Sequence, residues 1–135
     1  RHFLLTTTAL IALPMAAQAA EGWITMSHSV IQALLNEGKT VMLDYSAVWC
    51  STCKVQGKVV NDLRTENPAY NEAMVFVRVD WDIYSRNVVT TSRKIPRRST
   101  LLVLRGSEEL GRIVAGTAAD SIKNPGFPHS AHSLE

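Results

Sequence analysis

The stretch "DYSAVWCSTCKVQG", residues 44–57, contains both cysteines of the chain, Cys50 and Cys53. Two residues separate them at the end of an apolar run, with Trp49 before the pair and Lys54 after it. Three kinds of chemistry use a C-x-x-C pair: half of a zinc site, the covalent attachment of haem, and a reversible dithiol/disulfide. The rest of the sequence discriminates among them.

The composition is that of one soluble globular domain. A chain of 135 residues can bury a core, and 46% apolar with 19% charged residues fits a soluble fold. The formal net charge of +2 indicates no polyanionic partner, so we predict no binding of nucleic acid. We expect the domain to be a monomer.

The first twenty residues, "RHFLLTTTALIALPMAAQAA", have the features of an export signal. A basic start precedes an apolar run from Phe3 to Met15, and residues 17–19 form an A-x-A cleavage site. We predict a signal peptide over residues 1–20 that begins further upstream, because the chain lacks an initiator Met. A buried N-terminal helix is the alternative, and the threonine cluster and the proline in this stretch disfavour it.

Export would place the cysteines in an oxidising compartment, where a disulfide can form. We therefore predict a periplasmic protein. Residues 1–4 match the second half of the twin-arginine pattern R-R-x-F-L, which would require one more Arg upstream. Twin-arginine export is accordingly an additional hypothesis.

The remaining pattern predicts helices that alternate with strands. Ser27 or Ser29 caps a first helix that Gly38 stops, and the breaker Asn67-Pro68 ends the second helix. The predicted elements are a helix to about 37, a strand at 40–47, a helix at 53–64, a strand at 74–81, a short helix before Pro96, strands at 100–105 and 110–115, and a last helix near 120. The predicted apolar faces of the two long helices comprise Val30, Ile31, Leu34 and Leu35 in the first, and Val55, Val59, Val60 and Leu63 in the second.

This order predicts an α/β fold with a mixed sheet. Strands separated by helices pair in parallel, and a closing hairpin around Gly106 and Ser107 adds antiparallel strands. The result is a central sheet of about four strands with flanking helices. Gly57 inside the second helix costs about 1 kcal/mol relative to Ala, so we expect it to permit close packing.

Neither haem nor zinc fits the cysteine pair. Covalent haem attachment requires a His directly after the second cysteine, where this chain has Lys54. A zinc site requires four ligands, and the further candidates are His28, His129 and His132, of which the last two belong to a Pro/Gly/Ser-rich tail. We therefore predict no metal site and no organic cofactor.

A redox dithiol fits the position of the pair. Cys50 stands where a strand ends and a helix begins, so free backbone N–H groups and the helix dipole would stabilise its thiolate. Cys53 follows one turn later and can resolve a mixed disulfide formed on Cys50. A passive structural disulfide is the alternative, although such a short loop constrains little of the unfolded chain.

The motif W-C-S-T-C-K at residues 49–54 resembles the W-C-x-x-C-K of the thioredoxin superfamily. The resemblance extends from about residue 25 to 123 and is greatest to small exported thioredoxin-like proteins of bacteria. It implies a thioredoxin-like three-layer sandwich over residues 21–135, with an atypical polar tail from about 124. It also implies a protein thiol–disulfide oxidoreductase whose redox centre is the Cys50–Cys53 disulfide.

The resemblance implies roles for individual residues. Cys50 is the nucleophile, Cys53 the resolving thiol, and Asp44 the buried acid that assists proton removal from Cys53. Arg78 stands where thioredoxins carry a lysine near that acid. Trp49 borders the dithiol and forms part of the substrate surface.

One loop departs from the family pattern. Ser99-Thr100 stands where the family has a cis-proline followed by threonine, in the loop that faces the dithiol and binds substrate. Either Pro96 takes that place through an insertion or Ser99 replaces the proline; strand alignment favours Ser99. A trans Arg98–Ser99 bond is expected, because a non-proline cis bond costs about 2.5–4 kcal/mol.

The first functional hypothesis is an exported reductase of protein disulfides. Ser51-Thr52 is neither the Gly-Pro of reducing thioredoxins nor the His-containing pair of oxidising relatives, and the absence of His favours reduction. The partners would be protein disulfides or dithiols and a membrane thiol electron donor. The basic cluster Arg93, Lys94, Arg97 and Arg98 is either a solvated loop or a device that steers acidic partners. The alternative function is a thioredoxin-like protein that binds a client or a metal without turnover.

Overall fold

Four strands and six helices make up the part of the chain that the structure describes. This computed structural model describes residue 25 and residues 27–123. The predicted signal peptide, its cleavage site and the polar tail from about 124 lie outside the described residues. No helix among residues 27–123 is long and apolar enough to cross a membrane. The elements are α1 His28–Asn36, β1 Thr40–Ser46, α2 Ser51–Glu66, α3 Ala69–Ala73, β2 Val75–Asp80, α4 Trp81–Tyr84, α5 Val88–Thr91, β3 Thr100–Arg105, β4 Glu108–Val114 and α6 Ala119–Lys123.

The strands form one mixed sheet in the order β2-β1-β3-β4. β1 runs parallel to β2 and antiparallel to β3, and β4 pairs antiparallel with β3. The predicted mixed sheet of four strands and its closing hairpin are therefore confirmed. Strand β1 is buried along almost its whole length, because it has a neighbouring strand on each side and helices on both faces.

Side chains of β1 alternate between two cores, as the pleat of a strand requires. Leu43 and Tyr45 face the first core, and Met42 faces the second. The first core contains side chains of α1, α5, the loop after α5 and the sheet: Ile31, Leu35, Val41, Leu43, Tyr45, Val77, Val79, Val89, Ile95 and Leu102. The second contains those of α2, α3, α6 and the other face: Met42, Val60, Leu63, Tyr70, Met74, Phe76, Leu101, Val103 and Ile122. The molecule is therefore a three-layer α/β/α sandwich.

The ends of α1 confirm the predicted helix signals. The hydroxyl of Ser27 accepts a hydrogen bond from Val30 N at 3.4 Å, and Gly38 adopts a φ of +78° just after the helix. The predicted apolar faces were too wide. Val30 and Val55 are 46% and 48% exposed, because each helix packs on the sheet along a narrower stripe than the apolar pattern suggested.

Short helices account for the remaining differences from the predicted elements. The chain resumes a helix, α3, directly after Pro68, which is tolerated there because the first turn of a helix needs no backbone donor. The single short helix predicted before Pro96 is two helices, α4 and α5. Asp80 accepts from Asp82 N to cap the first, and Asn87 accepts from Val89 N to cap the second.

The segment before β3 is tied to the hairpin. The Arg112 guanidinium on β4 donates to the carbonyl oxygens of Arg93 and Lys94 at 2.9 and 3.1 Å. It also pairs with Glu109 on the same strand at 2.8 Å. These contacts hold the loop that leads to Ser99 against the sheet, next to the cysteines.

Candidate active site

The two cysteines lie at the start of α2, where the sequence predicted the strand-to-helix junction. Cys50 is the N-cap residue, and its Sγ accepts a hydrogen bond from Cys53 N at 3.2 Å. The cysteines form a disulfide with a Cα–Cα distance of 5.3 Å. After reduction, the Cys50 sulfur would lie at the positive end of a helix of 16 residues, next to a backbone donor.

The disulfide lies just below the surface. Cys50 is 4% and Cys53 1% exposed, and both pack against Ala47 and Trp81. Immediately before them, Val48 and Trp49 are 81% and 55% exposed. A polypeptide that reaches the disulfide would therefore meet an apolar surface first.

Asp44 and Arg78 form an ion pair in which the carboxylate is fully buried and the Arg78 side chain is 40% exposed. They are direct neighbours across the parallel β1 and β2 strands, so both side chains point to the α2 face. Nε and Nη2 of Arg78 donate to Asp44 Oδ2 at 3.0 and 2.9 Å. The expected proximity of Arg78 to this acid is confirmed.

The environment of Asp44 raises the pKa of its carboxyl. The residue is fully buried, and Oδ1 has no hydrogen-bond partner among the described residues. Desolvation raises the pKa of Asp44 to about 6, although the charge and hydrogen bonds of Arg78 lower it. The carboxyl can therefore exchange a proton close to neutral pH.

Gly57 provides the space that Arg78 occupies. A Cβ at this position would lie 3.1 Å from Nη2 of Arg78, so the predicted close packing at this glycine is confirmed. A cavity of about 630 Å³ lies beside the pair, and its lining includes Cys53, Gly57, Arg78 and Asp80. Cys53 and the guanidinium that pairs with Asp44 thus line one cavity.

Ser99 lies directly over the dithiol. Its Oγ is 3.1 Å from Cys50 Sγ and 3.1 Å from Cys53 Sγ. Pro96 is exposed, so the strand alignment that placed Ser99 at this position was correct. No peptide bond in the described part of the chain is cis, which agrees with the expected trans Arg98–Ser99 bond.

The backbone of Ser99 is held by three elements. Its N–H donates to Tyr45 O on β1 at 2.8 Å, and its carbonyl accepts from Ala115 N after β4 at 2.7 Å. The same carbonyl accepts from Gln56 Nε2 on α2 at 3.1 Å, and that amide also donates to Gly116 O at 2.8 Å. The sequence interpretation missed Gln56; the available signal was a polar residue one turn after Cys53, on the same helix face.

Trp49 is held from two sides. Its indole Nε1 donates to both carboxylate oxygens of Asp82 on α4, at 2.9 and 3.2 Å. The guanidinium of Arg98 lies over the ring, 4.3 Å from the centroid. Trp49 therefore connects α4 to the Ser99 loop at the surface beside the dithiol, as the predicted border residue should.

The fold and this arrangement agree with comparisons to known proteins. A family model described as thioredoxin-like matches residues 22–101. The chain belongs to the thioredoxin-like family. Thioredoxin H7 of Arabidopsis thaliana is 33% identical over 95 residues, which cover 70% of this chain and 69% of that protein. Thioredoxin H5 of Oryza sativa subsp. japonica is 28% identical over 92 residues, 68% of this chain and 64% of that protein.

A solved structure supports the fold of this thioredoxin-like protein. Thioredoxin from Trypanosoma brucei brucei superposes with a TM-score of 0.64 at 21% identity, over 82% of this chain and 92% of that one. The thioredoxin-like three-layer sandwich is therefore confirmed. With a C-x-x-C disulfide at the start of α2, this thioredoxin-like protein is a thiol–disulfide oxidoreductase.

Thr100 supports the loop from inside the sheet of the thioredoxin-like protein. It is fully buried, and its Oγ1 donates to Arg97 O at 2.7 Å. Ser99 is also fully buried, whereas Arg97 is exposed and Arg98 half-buried. A role of Ser99 and Thr100 in substrate binding stays a prediction.

The basic cluster divides into two parts. Arg93 turns away toward α1, where it contacts His28 Nδ1 at 3.1 Å and Gln32 Oε1 at 2.8 Å. Burial and the charge of Arg93 lower the pKa of His28. Only Arg98 of the cluster is placed on the dithiol side by a contact, through Trp49.

A metal site receives no support from residues 27–123. No three His, Cys, Asp or Glu side chains in that range lie close enough together to hold an ion. His129 and His132 lie outside the described residues. The expectation of no metal and no organic cofactor stays a prediction.

Proposed function

We propose that this thioredoxin-like protein is an exported reductase of protein disulfides. The observation that supports thiol–disulfide exchange is Cys50 at the N-cap of α2, where the Cys53 N–H lies next to its sulfur, with 3.2 Å between N and Sγ. This position favours a thiolate, which is the attacking form of a cysteine. Ser51 and Thr52 add no cation between the cysteines that would stabilise the reduced form further, and this supports a reducing role.

The reaction proceeds in two exchange steps. The Cys50 thiolate attacks one sulfur of a substrate disulfide, which forms a mixed disulfide and releases one substrate thiolate. Cys53 then loses its proton and attacks Cys50 Sγ, which releases the second substrate thiolate. The substrate gains two electrons, and the protein is left with the Cys50–Cys53 disulfide.

Asp44 accepts the proton of Cys53 in the second step. Its pKa of about 6 leaves the carboxyl mainly ionised at neutral pH and still able to bind a proton. Arg78 holds the carboxylate and lines the same cavity as Cys53. A water molecule in that cavity would give the proton a path between the two groups.

Substrate binding is assigned to the surface around Trp49. Val48 and Trp49 offer exposed apolar area, and we assign the edge beside the dithiol to the loop that carries the buried Ser99 and Thr100. Arg97 and Arg98 add positive charge, which favours substrates with acidic residues near their disulfide.

The remaining parts of the proposal concern the cellular setting. The protein acts as a monomer in the periplasm, after export by a signal peptide; one more Arg before Arg1 would complete a twin-arginine pattern in that signal. No metal or organic cofactor takes part, because the dithiol carries both electrons. A membrane thiol electron donor reduces the disulfide again after each turnover.

A redox titration of the full chain tests the direction of electron flow. The protein is equilibrated in thiol buffers, and the reduced fraction is measured by alkylation of Cys50 and Cys53; a Cys53→Ser variant serves as a control that cannot form the disulfide. We expect a reversible two-electron transition at about −250 mV or below. A transition at about −120 mV would instead identify an oxidant.

Two further outcomes bear on the rest of the proposal. A pair that never titrates, or one protected from alkylation by bound metal, would favour the binding protein over the reductase. Cell fractionation tests the location: the processed protein should be found in the periplasm, and an unprocessed cytoplasmic protein would contradict export.

A further inference from the structure

The hydroxyl of Ser99 occupies an unusual position between the two redox-active sulfurs. Its Oγ is 3.1 Å from each of them, and it has no other hydrogen-bond partner in the described part of the chain. The side chain is completely buried, so the dithiol, and not solvent, is what it contacts. A serine at this position can donate a hydrogen bond to a sulfur, whereas a proline side chain has no donor.

We propose that Ser99 is a catalytic hydrogen-bond donor that stabilises the Cys50 thiolate once the disulfide is reduced. A hydroxyl has one proton to donate and two lone pairs that accept. The proton can point to Cys50 Sγ while the oxygen accepts the S–H of Cys53. One hydroxyl thus satisfies both sulfurs of the half-ionised dithiol, and the buried setting strengthens each bond.

The backbone holds Ser99 in place for this role. Its φ is +61°, a left-handed conformation that a serine adopts only when its surroundings impose it. Tyr45 O, Ala115 N and Gln56 Nε2 supply those restraints, from β1, the end of β4 and α2. These backbone hydrogen bonds therefore hold the hydroxyl in place whether or not the disulfide is formed.

The electron balance determines the effect on redox chemistry. Reduction by a dithiol donor breaks the Cys50–Cys53 bond and delivers two electrons and one proton, which leaves Cys50 as thiolate and Cys53 as thiol. Ser99 stabilises this reduced form, so it makes the disulfide easier to reduce. Its effect opposes that of Ser51 and Thr52 and limits how strong a reductant the protein is. The inference rests on thiol–disulfide exchange at Cys50 and Cys53, and not on export or on the direction of electron flow.

Two variants of the full chain test the role of the hydroxyl. Ser99→Ala removes it and keeps Cβ, and Ser99→Gly removes it in a residue that accepts a positive φ without strain. We expect both to lower the equilibrium constant for reduction by glutathione about tenfold, which corresponds to about 30 mV for a two-electron couple. The pH profile of Cys50 alkylation should move upward in both, because less thiolate is present at a given pH.

The control is Thr90→Ala on α5, away from the sulfurs. It removes a buried hydroxyl that donates to Tyr84 O at 2.7 Å. It should retain the wild-type equilibrium constant and alkylation profile. If both Ser99 variants behave like wild type, or if only one of them shifts, the hydroxyl is not the cause and the inference is wrong. A wild-type disulfide that cannot be reduced would instead contradict the proposed function.

Discussion

At the scale of single residues, Asp44 is an ionisable carboxyl in surroundings that disfavour its charge. Its carboxyl is fully buried with Arg78 as its ion-pair partner, and its Oδ1 accepts no hydrogen bond from the described residues. Burial of a charge is unfavourable unless every polar atom is satisfied. The buried carboxylate therefore lowers the free energy of unfolding at neutral pH, and the same burial brings the pKa of its carboxyl to about 6.

The first prediction concerns stability and pH in the oxidised protein. Burial raises the pKa of Asp44 from 3.8 to about 6, so the folded state binds this proton more tightly than the unfolded chain. The contribution of Asp44 to the free energy of unfolding is therefore fully present below about pH 4 and is lost as the pH rises through about 6, by up to about 3 kcal/mol. Asp44→Asn, which cannot ionise, should gain stability relative to wild type over that range.

Urea unfolding at about pH 4 and about pH 8 measures the difference. An exposed-carboxyl control, Glu72→Gln, removes a carboxylate without burial and should follow the wild-type curve. Parallel pH curves for wild type and Asp44→Asn would show that Asp44 titrates alike in the folded and unfolded states, contrary to this prediction.

The second prediction concerns Gly57→Ala. The added Cβ would lie 3.1 Å from Arg78 Nη2, so the guanidinium must shift by a few tenths of an ångström, which weakens its hydrogen bonds to Asp44. Because Arg78 lowers the pKa of Asp44, we expect the carboxyl pKa to rise in the variant, while the helix propensity of Ala adds about 1 kcal/mol of stability. NMR titration of the Asp44 carboxyl measures the shift. Asn61→Ala, at an exposed site on the same helix, is the control. The same pKa of Asp44 in both variants would show that the added Cβ does not disturb the Arg78–Asp44 pair.

At the scale of elements, the Ser99 loop is the point where β1, α2 and the end of β4 meet. Each element supplies one backbone or amide partner to Ser99, and Arg112 on β4 holds the segment before it. Trp49 joins the same loop to α4 through Arg98 and Asp82. The geometry around the sulfurs is therefore a property of several elements together.

The third prediction tests this connection through Gln56→Met. The apolar side chain retains the volume but removes the bonds to Ser99 O and Gly116 O. Ser99 O keeps its hydrogen bond from Ala115 N, so the main loss is the bond to Gly116 O. A hydrogen bond contributes about 0.5–1.5 kcal/mol, and the free energy of unfolding should fall by that amount. The equilibrium constant with glutathione should also fall toward the value of the Ser99 variants, because the loop loses one of its restraints.

Urea unfolding and a glutathione titration give the two readouts. Gln32→Met changes the same residue type on α1, where it removes only an exposed hydrogen bond from Arg93, and should alter stability by less than about 0.5 kcal/mol. If Gln56→Met lost no more stability than this control, Gln56 would not be a structural link between α2 and the loop.

At the scale of the whole molecule, the disulfide closes only a short loop at the start of α2, and the two cores lie on either side of the sheet. The described fold does not depend on that crosslink for its architecture. The dithiol can therefore open and close in each reaction cycle while the sandwich around it persists.

The fourth prediction is a moderate change in stability with redox state. Chain entropy for a loop that spans a sequence separation of 3 gives about 2 kcal/mol in favour of the oxidised protein. Urea unfolding with and without reductant at neutral pH measures this difference. A Cys50→Ser/Cys53→Ser double variant should have the same free energy of unfolding with and without reductant. Complete unfolding of the wild type on reduction would overturn the prediction.

Local patterns in the sequence were sufficient for the order of the four strands and the long helices, but not for the short helices α3, α4 and α5. The apolar run of β1, the cap at Ser27 and the glycine after α1 each depend on neighbours within a few residues. The position of Cys50 at a strand-to-helix junction follows from the same local signals. The resemblance to the W-C-x-x-C-K motif then indicated the fold and the redox chemistry together.

Local sequence patterns do not predict contacts between distant parts of the chain. Gln56 reaches Gly116 across 60 positions, and Trp49 reaches Asp82 across 33. Periodicity reports only which face of an element is apolar, and for Val30 and Val55 it overestimated the width of that face. Which residues contact each other is determined when the elements pack, and local patterns do not contain that information.

The sequence by itself therefore determined the α/β order, the mixed sheet and a dithiol at the start of a helix, because hydrophobic periodicity and helix signals act over short distances. Only the tertiary structure decided that the Ser99 hydroxyl lies 3.1 Å from both sulfurs and that Oδ1 of Asp44 is buried without a hydrogen-bond partner among the described residues. Those arrangements arise where separate elements meet, and burial there sets the strength of each hydrogen bond and the pKa of the acid.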